Sequence, residues 1–100
     1  MFSARATYAW VIDEDCLEGD VSRVGVTGPR NAPDSPLAEL AAGGGHPFRM
    51  LDDDGNVCYR GRLAGDPTSE DGFGPLDDLG EPDAGCTAIE YLEAGQWVQL

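Results

Sequence analysis

Three consecutive aspartates followed by a glycine, Asp52-Asp53-Asp54-Gly55, have the residue types that best suit a metal ion. Carboxylates two residues apart before a glycine occur in the calcium-binding loop of EF-hands. With Gly55 at the sixth loop position, however, Met50 takes the first position and Gly61 the last, and neither supplies the carboxylate needed there. We therefore predict a turn at these aspartates and no metal site.

Nucleophilic catalysis would require a cysteine or serine beside a base, and the candidates are Cys58 and His46, the single histidine. Cys58 falls in the middle of a predicted strand, where no helix N-terminus or sharp turn would activate its thiol. Gly43-Gly44-Gly45 lacks the Lys-Ser/Thr pair of a phosphate-binding loop and indicates the end of a helix. The sequence thus predicts no catalytic residue, no cofactor and no enzymatic activity.

Three arginines, Arg49, Arg60 and Arg62, are predicted to share one face of two neighbouring strands. Such a face could bind an anion, because guanidinium groups hold carboxylates and phosphates with two parallel hydrogen bonds. The same arginines could instead pair with carboxylates of the chain itself. The excess of 19 acidic residues over six basic ones favours this internal pairing.

The net charge of -13 on 100 residues restricts the possible partners. A chain of this length predicts a single domain, residues 1–100. Its charge repels nucleic acid and anionic membranes, so we expect no direct binding to either. The six basic residues are all arginine, and the absence of lysine is typical of a GC-rich genome or of a high-salt cytoplasm.

Three cysteines, Cys16, Cys58 and Cys86, are widely spaced and contain no C-x-x-C. They suggest neither a disulfide framework nor a zinc site. The N-terminus has no signal-peptide pattern, and no apolar run reaches membrane-spanning length. We therefore expect a soluble, cytoplasmic protein with reduced thiols.

The strand and helix patterns predict an α+β fold, with an antiparallel sheet of about six strands and one short helix after strand 2. Strands are expected at 7–12 and 23–27, and a helix follows with Ser35 as N-cap, Pro36 at its first position and Gly43 as the left-handed stop. Leu37 and Leu40 should pack on the sheet. The stretch 64–84 is expected to be a long polar connection. The core must come from few large side chains: Tyr8, Trp10, Ile12, Phe48, Met50, Tyr59, Ile89, Tyr91 and Trp97.

Two hairpins can be given a register. A type I turn at 52–55 with Gly55 left-handed pairs Leu51 with Asn56, Met50 with Val57 and Phe48 with Tyr59. This register places Phe48, Met50, Val57 and Tyr59 on the core face and Cys58 on the arginine face.

In the last hairpin, a two-residue turn at Ala94-Gly95 pairs Leu92 with Trp97 and Tyr91 with Val98. Tyr91 and Ile89 then point to the core. Trp97 should be partly accessible and should serve as an anchor in partner binding or self-association.

The segment Phe48 to Arg62, with its F-R-x-x-D-D-D-G-x-x-x-Y-x-G-R pattern, resembles small acidic proteins found in bacterial, plasmid and phage genomes. The segment Gly85 to Tyr91, with the pattern G-C-T-x-I-x-Y, is similar to the C-terminal part of the same group. These proteins have no established activity, so the resemblance implies no functional residue. A mobile-element setting favours a small inhibitor of host proteins.

The acidic residues cluster in short segments that a partner could recognise as a surface. We predict a non-enzymatic, acidic protein-binding module that imitates nucleic acid and binds a basic, nucleic-acid-handling protein of the host. The alternative is a housekeeping or structural protein whose acidity reflects high-salt adaptation or genome bias. The predicted contact residues are Asp52, Asp53, Asp54, Asp77, Asp78, Glu81, Asp83 and Trp97.

Overall fold

The computed structural model describes residues 7–17 and 22–100. Six strands within these residues form one antiparallel sheet in the order β2-β1-β4-β3-β5-β6. The α+β class and the six-stranded antiparallel sheet are confirmed. The strands are β1 (Ala9–Asp15), β2 (Thr27–Gly28), β3 (His46–Leu51), β4 (Val57–Ala64), β5 (Ala88–Glu93) and β6 (Gln96–Gln99).

The predicted helix, α1 (Asp34–Ala41), follows β2, and Gly43 has the expected left-handed backbone with φ +92°. The predicted start of α1 is wrong, because Pro33 is the N-cap rather than Ser35. The missing N–H of Pro36 costs nothing anywhere in the first turn, so the helix can begin before it. Leu40 is buried, and it packs against Ala9 and Ala64 of the sheet.

The chain is also helical without a break over residues 70–84, where we predicted a long polar connection. This 70–84 helix comprises a 3-10 turn at Glu70–Phe73, a π-helical stretch at Leu76–Gly80 and a last turn at Glu81–Ala84. The prediction of a single short helix is therefore confirmed only in part, because the structure has a second helical segment. Intrinsic propensity argues against a helix here, because the segment contains several glycines and prolines.

Contacts with the sheet explain why the 70–84 helix forms. Leu76 is buried in the core, and the Tyr91 hydroxyl donates a hydrogen bond of 2.8 Å to the Gly72 carbonyl. A Cβ atom at Gly80 would lie 2.5 Å from Met50 Sδ, so glycine permits this close approach. Tertiary packing thus overrides the weak local propensity.

The predicted strand at 23–27 is reduced to β2, which the chain enters through a tight turn. The turn is closed by a hydrogen bond of 3.0 Å from Val26 N to the Arg23 carbonyl, and Gly25 has φ +86°. A left-handed residue reverses the chain direction and ends strand geometry, which accounts for the shortening.

The first hairpin has the predicted turn but a different register. Leu51 pairs with Val57, Met50 with Tyr59 and Phe48 with Gly61, with an irregularity between Met50 and Leu51. The pairing already differs from the prediction by one position at Leu51, and the extra residue of the bulge adds a second. Beyond the bulge the total shift is two positions, so the assignment of faces is preserved there.

The bulge also exchanges the predicted environments of Val57 and Cys58. Cys58 is buried in the core rather than lying on the arginine face, and Val57 is only half-buried. The extra residue in the bulged strand turns the cysteine side chain to the other face of the sheet.

The sheet has two different faces. The core face carries most of the large side chains predicted to be buried, and the 70–84 helix covers it through Leu76, Leu79 and Ala84. On the opposite face, α1 covers only the end formed by β1 and β4. The buried core-face residues are Trp10, Ile12, Phe48, Met50, Cys58, Tyr59, Leu63, Ile89 and Tyr91.

Candidate functional site

The Asp52–Gly55 turn is stabilised by the carboxylate of Asp52. Its Oδ1 accepts hydrogen bonds of 2.9 Å from the backbone N–H groups of Asp54 and Asn56. These bonds, with that of Asn56 first, hold the pKa of Asp52 below its usual range. Asp52 is therefore engaged within the turn, whereas Asp53 and Asp54 are exposed.

Two acidic residues of the 70–84 helix connect it to the sheet. Asp78 Oδ2 accepts hydrogen bonds from the Tyr8 hydroxyl and from Trp10 Nε1, both of 2.9 Å. Burial of the Tyr8 ring raises the pKa of its hydroxyl, and the hydrogen bond from this hydroxyl to Asp78 and the charge of Asp78 raise it further. Asp78 thus has a structural role that its exposed position on a helix does not suggest.

Asp83 makes the second connection. Its carboxylate accepts a hydrogen bond of 2.7 Å from the Tyr59 hydroxyl and bonds of 3.0 and 2.9 Å from Arg23 Nε and Nη2. The hydrogen bonds from Arg23 and then Tyr59 lower the pKa of Asp83. Asp83 therefore acts as an acceptor for a ring hydroxyl and a guanidinium group.

The remaining predicted acids, Asp53, Asp54, Asp77 and Glu81, are exposed. Within residues 7–17 and 22–100, no hydrogen bond or ion pair engages their carboxylates. These four side chains can meet a partner without breaking an internal contact.

The fold brings the turn and the end of the 70–84 helix together around Cys86. Burial and the neighbouring Cys58 thiol raise the pKa of Cys86 to about 12, with smaller contributions from the charges of Asp52 and Asp83. Backbone hydrogen bonds connect the two elements here: Cys86 N donates to the Gly80 carbonyl at 3.1 Å, and Thr87 N donates to the Leu51 carbonyl, next to the turn, at 2.9 Å. We call the combined surface the acidic patch, defined as Asp52, Asp53, Asp54, Asp77, Asp78, Glu81 and Asp83.

The face opposite the core face carries the three arginines proposed as an anion site, and we call it the arginine face. Arg49 Nε lies 2.6 Å from Glu90 Oε1, and Arg60 Nε lies 3.6 Å from Glu14 Oε2. The Arg49–Glu90 pair is partly shielded from solvent, whereas the Arg60–Glu14 pair is exposed and therefore weak.

Arg62 has the most contacts of the three. Its Nε lies 2.8 Å from Asp13 Oδ2, and its Nη1 donates to the carbonyls of Leu40 and Gly44 at the end of α1. The hydrogen bond to Asp13 raises the pKa of Arg62. All three guanidinium groups thus meet carboxylates of the chain, which is the internal pairing that the charge balance favoured.

Trp97 lies on the arginine face, opposite Leu92 as predicted. Its ring is half-buried under the Arg49 guanidinium, whose Cζ lies 4.4 Å from the ring centroid. The predicted partial accessibility is confirmed. Beside the ring is a groove of about 390 Å³ whose lining includes Pro47, Leu92 and Trp97.

The structure separates Trp97 from the acidic patch. Trp97 lies on the arginine face, whereas the 70–84 helix covers the core face. Along the strands, Trp97 lies near Phe48, whereas the Asp52–Gly55 turn follows the other end of β3. The predicted contact residues therefore form two surfaces and not one.

The candidate catalytic pair does not assemble. His46 is exposed at the start of β3 and pairs with Leu63, whereas Cys58 lies in the core near the other end of β4. Among the described residues, no group of three His, Cys, Asp or Glu side chains has a metal-binding arrangement. Neither helix in this part of the chain has the length and apolar character needed to cross a membrane.

No pattern in the sequence indicated the acceptor roles of Asp78 and Asp83. Their partners lie on β1, on β4 and at Arg23, far away along the chain. Comparison with known proteins adds no constraint, since no family model, curated protein or solved structure matches the chain.

Proposed function

We propose that the protein is a non-enzymatic, acidic protein-binding module whose acidic patch imitates nucleic acid and binds a basic, nucleic-acid-handling protein. The observation that carries this proposal is that the acidic patch contains two kinds of carboxylate, some that anchor the 70–84 helix and others that are exposed. Asp78 and Asp83 hold the 70–84 helix on the sheet, and Asp53, Asp77 and Glu81 are exposed. Exposed carboxylates on an anchored helix suit a basic groove, because little backbone freedom is lost on binding.

Long-range attraction would support the same role. A net charge of -13 steers the chain toward a positively charged groove and accelerates association at low salt. The partner's groove would exchange its contacts to phosphates for contacts to carboxylates, and the module would thereby inhibit nucleic-acid binding.

The setting we propose is the cytoplasm of a bacterial host, with the chain encoded by a phage or another mobile element. The sequence resemblance to small acidic proteins of such genomes supports this setting. The three cysteines are free thiols, which is consistent with a reducing compartment.

The test compares two variants that each remove three negative charges. The patch variant combines Asp53→Asn, Asp77→Asn and Glu81→Gln. The control variant combines Asp34→Asn, Glu39→Gln and Glu93→Gln at exposed positions elsewhere. Wild type and both variants are immobilised, host proteins are captured at rising KCl, and each captured protein is assayed for nucleic-acid binding with and without the free chain.

We expect the wild type and the control variant to capture a basic nucleic-acid-binding protein that salt releases and whose nucleic-acid binding the chain inhibits. The patch variant should lose this capture. The idea fails if capture is indifferent to salt, or if the two triple variants behave alike. If no such protein is captured, solvent adaptation becomes the better explanation, and the melting temperature should then rise strongly into molar KCl.

A further inference from the structure

Within residues 7–17 and 22–100, the outer edge of β6, the last strand of the sheet, lacks the usual protection. β6 is the terminal strand in the sheet order, and its residues, Gln96–Gln99, include no charged side chain and no proline. Proteins normally blunt exposed edges with charges, prolines, bulges or very short strands, because an open edge can pair with another strand.

Hydrogen bonding defines which groups of β6 remain open. Leu100 N donates to the Ile89 carbonyl, and β5 and β6 pair in an antiparallel register. Alternate residues of an antiparallel strand face the same neighbour, so Val98 is also directed toward β5. Trp97 and Gln99 therefore direct their backbone N–H and C=O groups away from β5, toward the open edge.

Apolar side chains flank this edge on both faces. Leu92 is 38% exposed on the arginine face, and Val98 and Leu100 are 42% and 39% exposed on the core-face side. Trp97 adds a half-buried ring on the arginine face. A strand added at β6 would cover apolar surface on both sides of the sheet.

The charge of the arginine face decides what kind of partner fits. Arg49, Arg60 and Arg62 are each matched by one carboxylate, so this face is locally balanced. A basic partner gains nothing from a balanced surface and is attracted instead to the acidic patch. A second copy of the chain, which also carries a charge of -13, is repelled least where the charges are already paired.

We infer that β6 is a self-association edge, at which two copies of the chain pair antiparallel strands across a two-fold axis and extend the sheet through both subunits. The two-fold operation brings Trp97 and Leu92 of both copies to the same face of the joined sheet. Trp97 and Gln99 then supply the main-chain hydrogen bonds between the copies. This association uses a surface separate from the acidic patch and does not depend on the function proposed for that patch.

The opposite edge of the sheet explains why the association closes at two copies. β2 has only two residues, Thr27–Gly28, and Pro29 follows directly. A two-residue strand next to a proline offers little for another strand to pair with. Head-to-tail pairing of β6 with β2 is therefore unfavourable, and the symmetric contact of β6 with itself is the one that remains.

Gln99→Pro tests the inference, with Gln99→Ala as its matched control. Proline removes an N–H that is directed away from β5 and leaves the β5–β6 hydrogen bonds intact, whereas alanine keeps that N–H. Molecular mass is measured by sedimentation over a range of chain concentrations, and the series is repeated at KCl concentrations from about 0.05 M to about 1 M. The electrostatic screening length falls from above 10 Å to about 3 Å over this salt range.

We expect wild type and Gln99→Ala to approach twice the monomer mass at high concentration, with a dissociation constant that falls at least about tenfold as salt screens the repulsion. Gln99→Pro should remain monomeric with an unchanged far-ultraviolet spectrum. This salt dependence is opposite to that of a basic partner, so the two proposals can fail separately. A wild type that stays monomeric at the highest concentration and salt, or a folded Gln99→Pro that dimerises equally well, would overturn the inference.

Hydrogen exchange on the wild type supplies a test that does not depend on how the proline variant folds. The amides of Trp97 and Gln99 should exchange more slowly at high than at low chain concentration, whereas that of Thr27 on the opposite edge should not change. Exchange at Trp97 and Gln99 that is independent of concentration would equally refute the association edge.

Discussion

Replacing Asp78 should unfold the protein far more readily than replacing its neighbour Asp77. Both are exposed aspartates of the 70–84 helix, yet only Asp78 accepts the Tyr8 hydroxyl and Trp10 Nε1. The Asp78→Ala variant leaves a part-buried indole N–H without its acceptor and releases the helix from β1. Asp77→Ala removes the same charge from the same element and breaks no such contact.

The size of the effect follows from the two hydrogen bonds. A hydrogen bond to a charged group contributes about 1.5–3 kcal/mol when its partner is shielded from water, which applies to Trp10. The bond from Tyr8 is more exposed, so we count it at about 0.5–1 kcal/mol. Asp78→Ala should therefore lower the free energy of unfolding by about 2–4 kcal/mol, and Asp77→Ala should stay within about 0.5 kcal/mol of wild type.

Urea unfolding followed by tryptophan fluorescence measures both variants. With an m-value of roughly 1–1.5 kcal/mol per molar urea, the Asp78→Ala midpoint should fall by about 2 M. Asp78→Asn keeps one acceptor oxygen and should lie between Asp78→Ala and wild type. Equal midpoints for Asp77→Ala and Asp78→Ala would refute the structural role of Asp78, and with it the division of the acidic patch into anchoring and exposed carboxylates.

Three further outcomes are expected. Gly55→Val should lower the free energy of unfolding by about 1–3 kcal/mol, because a β-branched residue is strained at φ +83°. Asp53→Asn in the same turn should leave urea unfolding nearly unchanged, and equal effects of the two variants would contradict the turn geometry. Leu76→Ala should lower the free energy of unfolding by about 2–4 kcal/mol because the Leu76 side chain is buried in the core, whereas Leu92→Ala, at an exposed position, should lower it by less than about 1 kcal/mol. Comparable losses of stability would mean that the 70–84 helix is not packed as described. The stability difference between wild type and Asp83→Asn should be constant above the ordinary aspartate pKa of about 3.8 and should disappear as the pH falls through the lowered pKa of folded Asp83, because a carboxylate with a depressed pKa favours folding only while it is ionised. Urea unfolding from about pH 6 to about pH 2 measures this difference, and a difference that grows in acid would contradict the expectation.

Local sequence predicted the hairpins well where turn chemistry sets the geometry. The two-residue turn at Ala94-Gly95 gave the pairing of Leu92 with Trp97, and the Asp52–Gly55 turn was placed with its left-handed glycine. The pairing beyond that turn could not be read, because the bulge near Cys58 adds a residue that no sequence signal marks. A shift of two positions preserves the alternation of faces, so most of the core assignment survived this error.

The 70–84 helix shows the limit of propensity. Its glycines and prolines correctly indicate that the segment would be a poor helix alone, and it becomes helical because Leu76 and Gly80 fit closely against the sheet. Such contacts join residues distant in sequence, which periodicity within the segment cannot report.

The sequence by itself determined the charge, the strand alternation and the left-handed turn at Gly55, because composition and local backbone sterics depend only on a residue and its near neighbours. It also indicated that arginines would pair with the abundant acids. Only the tertiary structure decided which carboxylates are free. The partners of Asp78, Tyr8 and Trp10, lie 70 and 68 residues away, so no pattern within the acidic segment distinguishes Asp78 from Asp77. A carboxylate becomes a structural acceptor or an open contact according to what the fold brings beside it, and that is a property of packing.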